Sequence, residues 1–320
     1  MARKIIFDTD PGVDDTAAIL FAHRHPAIDL VGVTTVFGNA TIDNVTANAL
    51  YLKEVYGFDA PVAKGAGASL DGFASLPPGH IHGDNGLGNV PRPAVLQHEA
   101  DPRPAYQFII DMVRAHPHEI TLVTVGRLTN IALAMQAAPD IVGLVEEVIM
   151  MGGAFGWNGP SGNVTPVAEA NIIGDAKAAD MVFTAPWKVT AISLDVTRDV
   201  HLTLDDYAML RGSEDAACRL MAEVAQVYIG FHERFGVAGS YVHDSSALAY
   251  LVAPELFTTR QGGIRVVTEG IAVGQTVFAD PAAVYPPGQW DNLPLQSASV
   301  SVDAAAVRVL LLDTITGKRA

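Results

Sequence analysis

The sequence holds one cysteine, Cys218, which excludes an internal disulfide framework and any zinc or iron–sulfur site built from several thiolates. Charged residues are also scarce, 17% of 320, and the positive ones scarcest: 20 Lys and Arg stand against 35 Asp and Glu, a formal net charge of −15. A surface of that sign repels phosphate backbones and anionic lipid, so electrostatics oppose nucleic-acid and membrane binding. No apolar run approaches the ~18–20 residues needed to span a bilayer. At the N-terminus, Arg3 and Lys4 precede only three apolar residues before Asp8 intervenes, too few for the core of a signal peptide. The expectation is a cytoplasmic protein that engages neither nucleic acid nor membrane. Internal repeats and low-complexity blocks are missing as well.

Apolar residues are not scarce: they make up 49% of the chain, ample for a large core. Short apolar runs at residues 5–7, 30–36, 121–125, 145–151 and 189–194 alternate with helical patterns at 16–23, 42–56, 128–137 and 176–183. Strands apolar on both faces, alternating with helices, predict an α/β fold. We expect one domain over residues 1–320, built as a Rossmann-like open sheet, mixed but mostly parallel, with helices on both faces. Ligands of such sheets bind beyond the carboxyl ends of the strands. The residues following the predicted strands are polar or small: Asp8, Asp10, Asp14 and Asp15 after the first, Asn39 after the second, Gly126 and Gly152 after later ones. The longest irregular stretch, 65–104, contains the polar cluster 79–86, which reads as a functional loop.

The strongest local signal is D-T-D-P-G-V-D-D at residues 8–15, four carboxylates in eight positions between a strand and a helix. Helix capping, with Asp14 at the N-cap and Asp15 in the first turn, accounts for one or two of them. A hard divalent cation with oxygen ligands accounts for all. An EF-hand loop counted from Asp8 fails, because its glycine and glutamate positions hold Val13 and Ile19. A D-x-D phosphatase of the haloacid-dehalogenase type remains an alternative, with Asp8 as nucleophile, Asp10 as acid/base and Asp175 and Asp180 as magnesium ligands. Pro11-Gly12-Val13 stands where that type usually has a glycine–threonine pair.

The motif also resembles the signature of the calcium-dependent nucleoside hydrolases of the inosine–uridine-preferring type. Further pieces match in the family's order: F-G-N at 37–39, H-I-H-G-D-N-G-L at 80–87, G-R-L-T-N at 126–130, M-G-G at 151–153, G-N-V-T-P-V-A-E-A-N at 162–171 and Y-V-H-D at 241–244. The resemblance implies Ca2+ held by Asp10, Asp15, the backbone carbonyl of Val125 and Asp244. It implies a ribonucleoside held by Asp14, Asn39, Met151, Asn163, Glu169 and Asn171, with His82 at the base or sugar edge. A water on the calcium, activated by Asp10, would attack ribose C1′ while His243 protonates the leaving purine or pyrimidine. A homo-oligomer, dimer or tetramer, is the family's habit.

Each of these residues has a plainer reading. Asp244 could simply cap a helix at 245–251, and Asn163 could turn a loop. A ribose-binding protein that turns nothing over is a further alternative. The chain departs from the family pattern at Ala170, where an aromatic is common, which leaves room beside the sugar. A helix at 216–235 carries Gln226, Tyr228 and Phe231, whose spacing fits core packing as well as a base pocket.

Overall fold

The computed structural model describes residues 2–74 and 76–318. Its strands are β1 (Arg3–Thr9), β2 (Ile28–Thr35), β3 (Val62–Lys64), β4 (Ile120–Thr124), β5 (Glu147–Met151), β6 (Val189–Ile192), β7 (His201–Thr203), β8 (Gly239–Tyr241), β9 (Phe257–Val266), β10 (Thr276–Ala279) and β11 (Gln296–Val302). Nine form one sheet in the order β10-β9-β11-β6-β5-β4-β1-β2-β3, and β7 pairs with β8 apart from it. From β11 through β3 every pairing is parallel, while β9 runs antiparallel to both of its neighbours. The mixed, mostly parallel open sheet matches the sequence expectation.

The apolar runs are buried on both faces, and alternation assigns each residue to a face. Ile5 and Phe7 of β1 join one core cluster while Ile6 joins the other, and Ile149 and Val148 of β5 divide in the same way. Helices cover both faces. Three of them, Val13–Arg24, Ser245–Val252 and Ala304–Ile315, pack around the first cluster, and Ala105–Ala115, Thr129–Ala137 and Ala176–Thr184 around the second. Among the described residues, no helix is long and apolar enough to cross a membrane.

Two local expectations change. The first helix begins at Val13 with Gly12 at its N-cap, so Asp14 lies within the first turn and does not cap it. The cluster 79–86 opens with a helical turn, Gly79–His82, which follows Pro77-Pro78 and ends at Gly83 with φ +78°. The strand order fixes where the chain has an opening. From β1 it proceeds to β2 and β3 on one flank and resumes with β4 on the other, so the carboxyl ends of β1 and β4 border the crevice where strand order reverses.

Candidate active site

Beyond Thr9 the chain crosses Asp10, Pro11 and Gly12 before the helix Val13–Arg24 starts. Three segments converge there. A Cβ on Gly12 would lie 2.5 Å from Asn39 Nδ2 and 2.7 Å from His82 Nδ1, so glycine is required for the approach. Asp15 is the third helical residue, and its Oδ2 accepts from Gly12 N (2.8 Å) and Asn39 Nδ2 (3.0 Å), while its Oδ1 accepts from the Thr9 hydroxyl. Asp10 Oδ2 accepts from the backbone N–H of Asn39 (2.9 Å), which follows β2. Asp244 stands at the N-cap position of the helix Ser245–Val252, but its side chain makes no capping bond. Its carboxylate joins Asp14 and Asp15 instead, with one oxygen of each within 4.8 Å of the others.

All four acids are buried, and burial raises every one above the ordinary carboxylate range. Asp10 is pushed well up, with Asp15 adding repulsion and Arg127 opposing it. Asp14 is pushed up to about 8 by burial and then by Asp15. Burial and then Asp14 and Asp15 act together on Asp244. In Asp15 the bonds from Thr9, Gly12 and Asn39 only partly offset the burial. Buried like charges of this kind persist when a cation neutralises them, and the donors are the hard oxygens that a divalent ion takes. The buried group Asp14, Asp15 and Asp244 could hold a metal.

Asp8 plays no part in that group. Its Oδ2 accepts from Thr34 Oγ1 (2.5 Å) and Asn130 Nδ2 (2.8 Å), beneath the site. The magnesium ligands of the phosphatase alternative are likewise spent elsewhere: Asp175 caps the helix Ala176–Thr184, and Asp180 pairs with Arg265 at 2.7 Å.

A cavity of about 400 Å³ opens above the acids. Asp10, Asp14, Asn39, His82, Val125, Met151, Asn163, Glu169, Asn171, His243 and Asp244 all line it. Asp15 is fully buried below its floor. Glu169 caps the short helix Ala170–Gly174, accepting from the N–H groups of Asn171 (2.9 Å), Gly153 (3.0 Å) and Ile172 (3.1 Å). Asn171 Nδ2 donates to the carbonyls of Val125 (2.8 Å) and Met151 (3.2 Å), tying the ends of β4 and β5 together. Asn163 Oδ1 accepts from Ala170 N at 3.1 Å, and Ala170 also faces the cavity.

Histidines line the cavity as well. His82 Nδ1 accepts from Val13 N at 3.2 Å, and its ring stacks on Tyr228 with centroids 5.3 Å apart. His243 Nδ1 lies 2.8 Å from Thr197 Oγ1. Burial pulls both imidazoles down to about 3, so each is neutral at pH 7. The spacing of Tyr228 and Phe231 fits core packing as well as a base pocket, and the structure places both at the cavity. Tyr228, Phe231 and His232 of the helix Ala216–Glu233 line the cavity, as do Phe235 beyond it and Tyr241 of β8. Gln226 is exposed and bonds the carbonyl of Ala222.

Residues 5–309 match the family model described as inosine-uridine preferring nucleoside hydrolase. Uridine nucleosidase 1 of Arabidopsis thaliana is 39% identical over 278 residues, 86% of this chain and 82% of its own. The inosine-uridine preferring nucleoside hydrolase of Crithidia fasciculata is 40% identical over 288 residues, 88% of this chain and 90% of its own. Among solved structures, a plant nucleoside hydrolase superposes with a TM-score of 0.94 at 35% identity, covering 99% of both chains. These findings set aside both the phosphatase and the binding-protein alternatives. The chain belongs to the inosine-uridine preferring nucleoside hydrolase family, and it is an enzyme that cleaves the N-glycosidic bonds of ribonucleosides.

Proposed function

We propose that the resident metal is calcium, held by Asp10, Asp15, the carbonyl of Val125 and Asp244, with the ribonucleoside held by Asp14, Asn39, His82, Met151, Asn163, Glu169 and Asn171. One observation carries this reading: three buried carboxylates line a cavity, a fourth, Asp15, lies buried beside them, and all are held above their ordinary range. The Val125 carbonyl accepts one bond from Asn171 and keeps a second lone pair. Calcium, when bound, supplies a hard Lewis acid and offsets the repulsion among its carboxylate ligands.

Asp10 is the proton acceptor for the water that attacks ribose C1′. Its carboxylate is oriented by the N–H of Asn39 and faces the cavity. The carboxylates of the floor stabilise the positive charge that grows on an oxocarbenium-like ribose as the bond to the base breaks. His243 offers its N–H to the departing base. Tyr228 and Phe231 give the cavity an aromatic lining against which a purine or a pyrimidine can pack.

The test is release of reducing sugar from inosine, adenosine, uridine and cytidine, with calcium and after chelation. The expected result is turnover that chelation abolishes and calcium restores. Undiminished turnover in excess chelator overturns the metal assignment. The reading extends to a single domain over residues 1–320, supported by the family match over 5–309 and by one sheet that contains both β1 and β11, from opposite ends of the chain. It also extends to a homo-oligomer in the cytoplasm. The exposed Ile271, Val284, Tyr285 and Leu295 favour self-association, and a lone buried cysteine suits a reducing compartment.

A further inference from the structure

The short helix Leu194–Thr197 follows β6 and ends at a threonine that no motif marks. Thr197 is fully buried. Its backbone N–H bonds the carbonyl of Ser193 (3.1 Å), and its hydroxyl lies 2.8 Å from Nδ1 of His243. A buried threonine near a helix end commonly sends its hydroxyl proton to a carbonyl one turn back. Thr184 does this, bonding the carbonyl of Asp180 at 2.7 Å. Thr197 does not: among the described residues, Nδ1 of His243 is the one hydrogen-bond partner of its hydroxyl.

That leaves a choice of direction. If the hydroxyl accepted from Nδ1–H, its own proton would be buried without an acceptor, which is unfavourable. If it donates to Nδ1, both atoms are satisfied. A neutral imidazole carries a single N–H, so an accepting Nδ1 puts the proton on Nε2. His82 reaches the same state by another route, because its Nδ1 accepts from the backbone N–H of Val13, which can only donate. In His82 the main chain imposes the tautomer; in His243 one side-chain hydroxyl does.

We propose that Thr197 is a positioning residue for His243, its hydroxyl holding the imidazole as the Nε2–H tautomer so that this N–H meets the departing base. The assignment rests on His243 acting at the leaving group. Replacing the hydroxyl by a methyl group of nearly the same size frees the ring to place its proton on either nitrogen, and the hydrogen bond to the base is lost in the fraction that chooses Nδ1.

The test compares the parent enzyme, Thr197→Val, Thr197→Ser and His243→Ala, all loaded with calcium. Two substrates are used: inosine, whose base leaves poorly, and 4-nitrophenyl β-D-ribofuranoside, whose leaving group needs no proton. Full removal of an acid or base typically costs 10²–10⁴-fold, and a shared proton forfeits only part of that, so Thr197→Val should lower kcat on inosine by roughly two- to fivefold with KM nearly unchanged. Its rate on the nitrophenyl riboside should stay close to the parent's, and Thr197→Ser should restore the inosine rate. The ¹⁵N spectrum of the His243 imidazole should show the proton on Nε2 in the parent and a shared proton in Thr197→Val. If Thr197→Val cleaves inosine at the parent rate, or loses equally on both substrates while His243→Ala loses selectively on inosine, the positioning role fails and the leaving-group role of His243 stands. If His243→Ala cleaves inosine at the parent rate, the leaving-group role fails and this proposal falls with it.

Discussion

The two ends of the central sheet both bury carboxylates, and they treat them in opposite ways. At the amino-terminal end of β5, Glu147 is buried, which alone would raise it. Lys188 and Arg3 bond it and hold it below the ordinary range instead. The same pattern recurs in Asp206, which Arg308 grips at 2.6 Å. At the carboxyl-terminal end, Asp10, Asp14, Asp15 and Asp244 are buried together with Arg127 as the cation acting on Asp10, and all four are held high. Glu147 and Asp206 carry their counter-ions in the sequence; Asp14, Asp15 and Asp244 form a group that could hold a metal. The difference sets these two groups apart by electrostatics, although Asp8, raised to about 7 by burial and bonded only by Thr34 and Asn130, shows that burial also lifts an acid outside the group.

The sharpest way to break the comparison is Asp10→Asn. The amide keeps the size of the side chain and removes a charge from a crowded, buried group. Activity on inosine and uridine should fall by at least ~10²-fold, as removal of a general base does. The metal-free variant, relieved of one like charge, should melt no lower than the metal-free parent. Loss of activity together with a lower melting temperature would show that Asp10 is as structural as Glu147.

The next effect is on stability against pH. Asp14 stands near 8 against an ordinary 3.8, so it binds its proton more tightly in the folded chain than in the unfolded one. The stability it contributes is complete below about pH 3.8 and is lost as pH rises through 8. Glu147 and Asp206 are held low and run the other way, contributing above their unfolded values and losing that contribution as pH falls. Between about pH 5 and pH 8, therefore, the melting temperature of the metal-free enzyme should decline. Saturating calcium should remove the decline, since a ligand at about 100 times its Kd adds about 2.7 kcal/mol to the folded state. A flat metal-free profile over that range would mean that the four acids are not crowded as described.

How much of this was legible in the sequence follows the same division. The runs around Ile5, Leu122 and Ile149 announced a sheet buried on both faces, because a parallel strand has no solvent face to encode. The acids of residues 8–15 were legible because four like charges between a strand and a helix exceed what helix capping uses, although Asp8 is held by Thr34 and Asn130 outside the group. Strands β9 and β11 were not, since Thr258, Thr259, Gln261, Gly262 and Gly263 break any apolar run in one, and the other alternates serine with small apolar residues and has no apolar run. Tyr228, Phe231 and His232 stayed ambiguous for a different reason. One face of the helix Ala216–Glu233 packs against the core and the adjoining face lines the cavity, and the period of 3.6 residues is the same for both. Thr197 carried no signal at all, because what matters is its distance from a residue 46 positions away.

The smallest effect tests the other side of the comparison. Glu147 lies at the opposite end of β5 from Met151, which lines the cavity, so the strand connects the two regions without bringing them into contact. Glu147→Gln keeps hydrogen-bonding capacity and removes the charge that Arg3 and Lys188 face. Lys188 is largely exposed and Arg3 partly so, and water can replace much of what they lose. Exposed pairs are worth about 0–1 kcal/mol and buried ones more, so this half-covered triad should cost about 1 kcal/mol, seen as a shift of a few degrees in melting temperature. The turnover rate and calcium dependence should match the parent's. The sign with respect to pH is also distinctive: the difference between variant and parent should shrink as pH falls toward 4, where Glu147 takes up a proton on unfolding and its charge no longer favours the folded state. If Glu147→Gln lowered turnover as Asp10→Asn does, the paired acids would be coupled to the site, and the division between the two ends of the sheet would not hold.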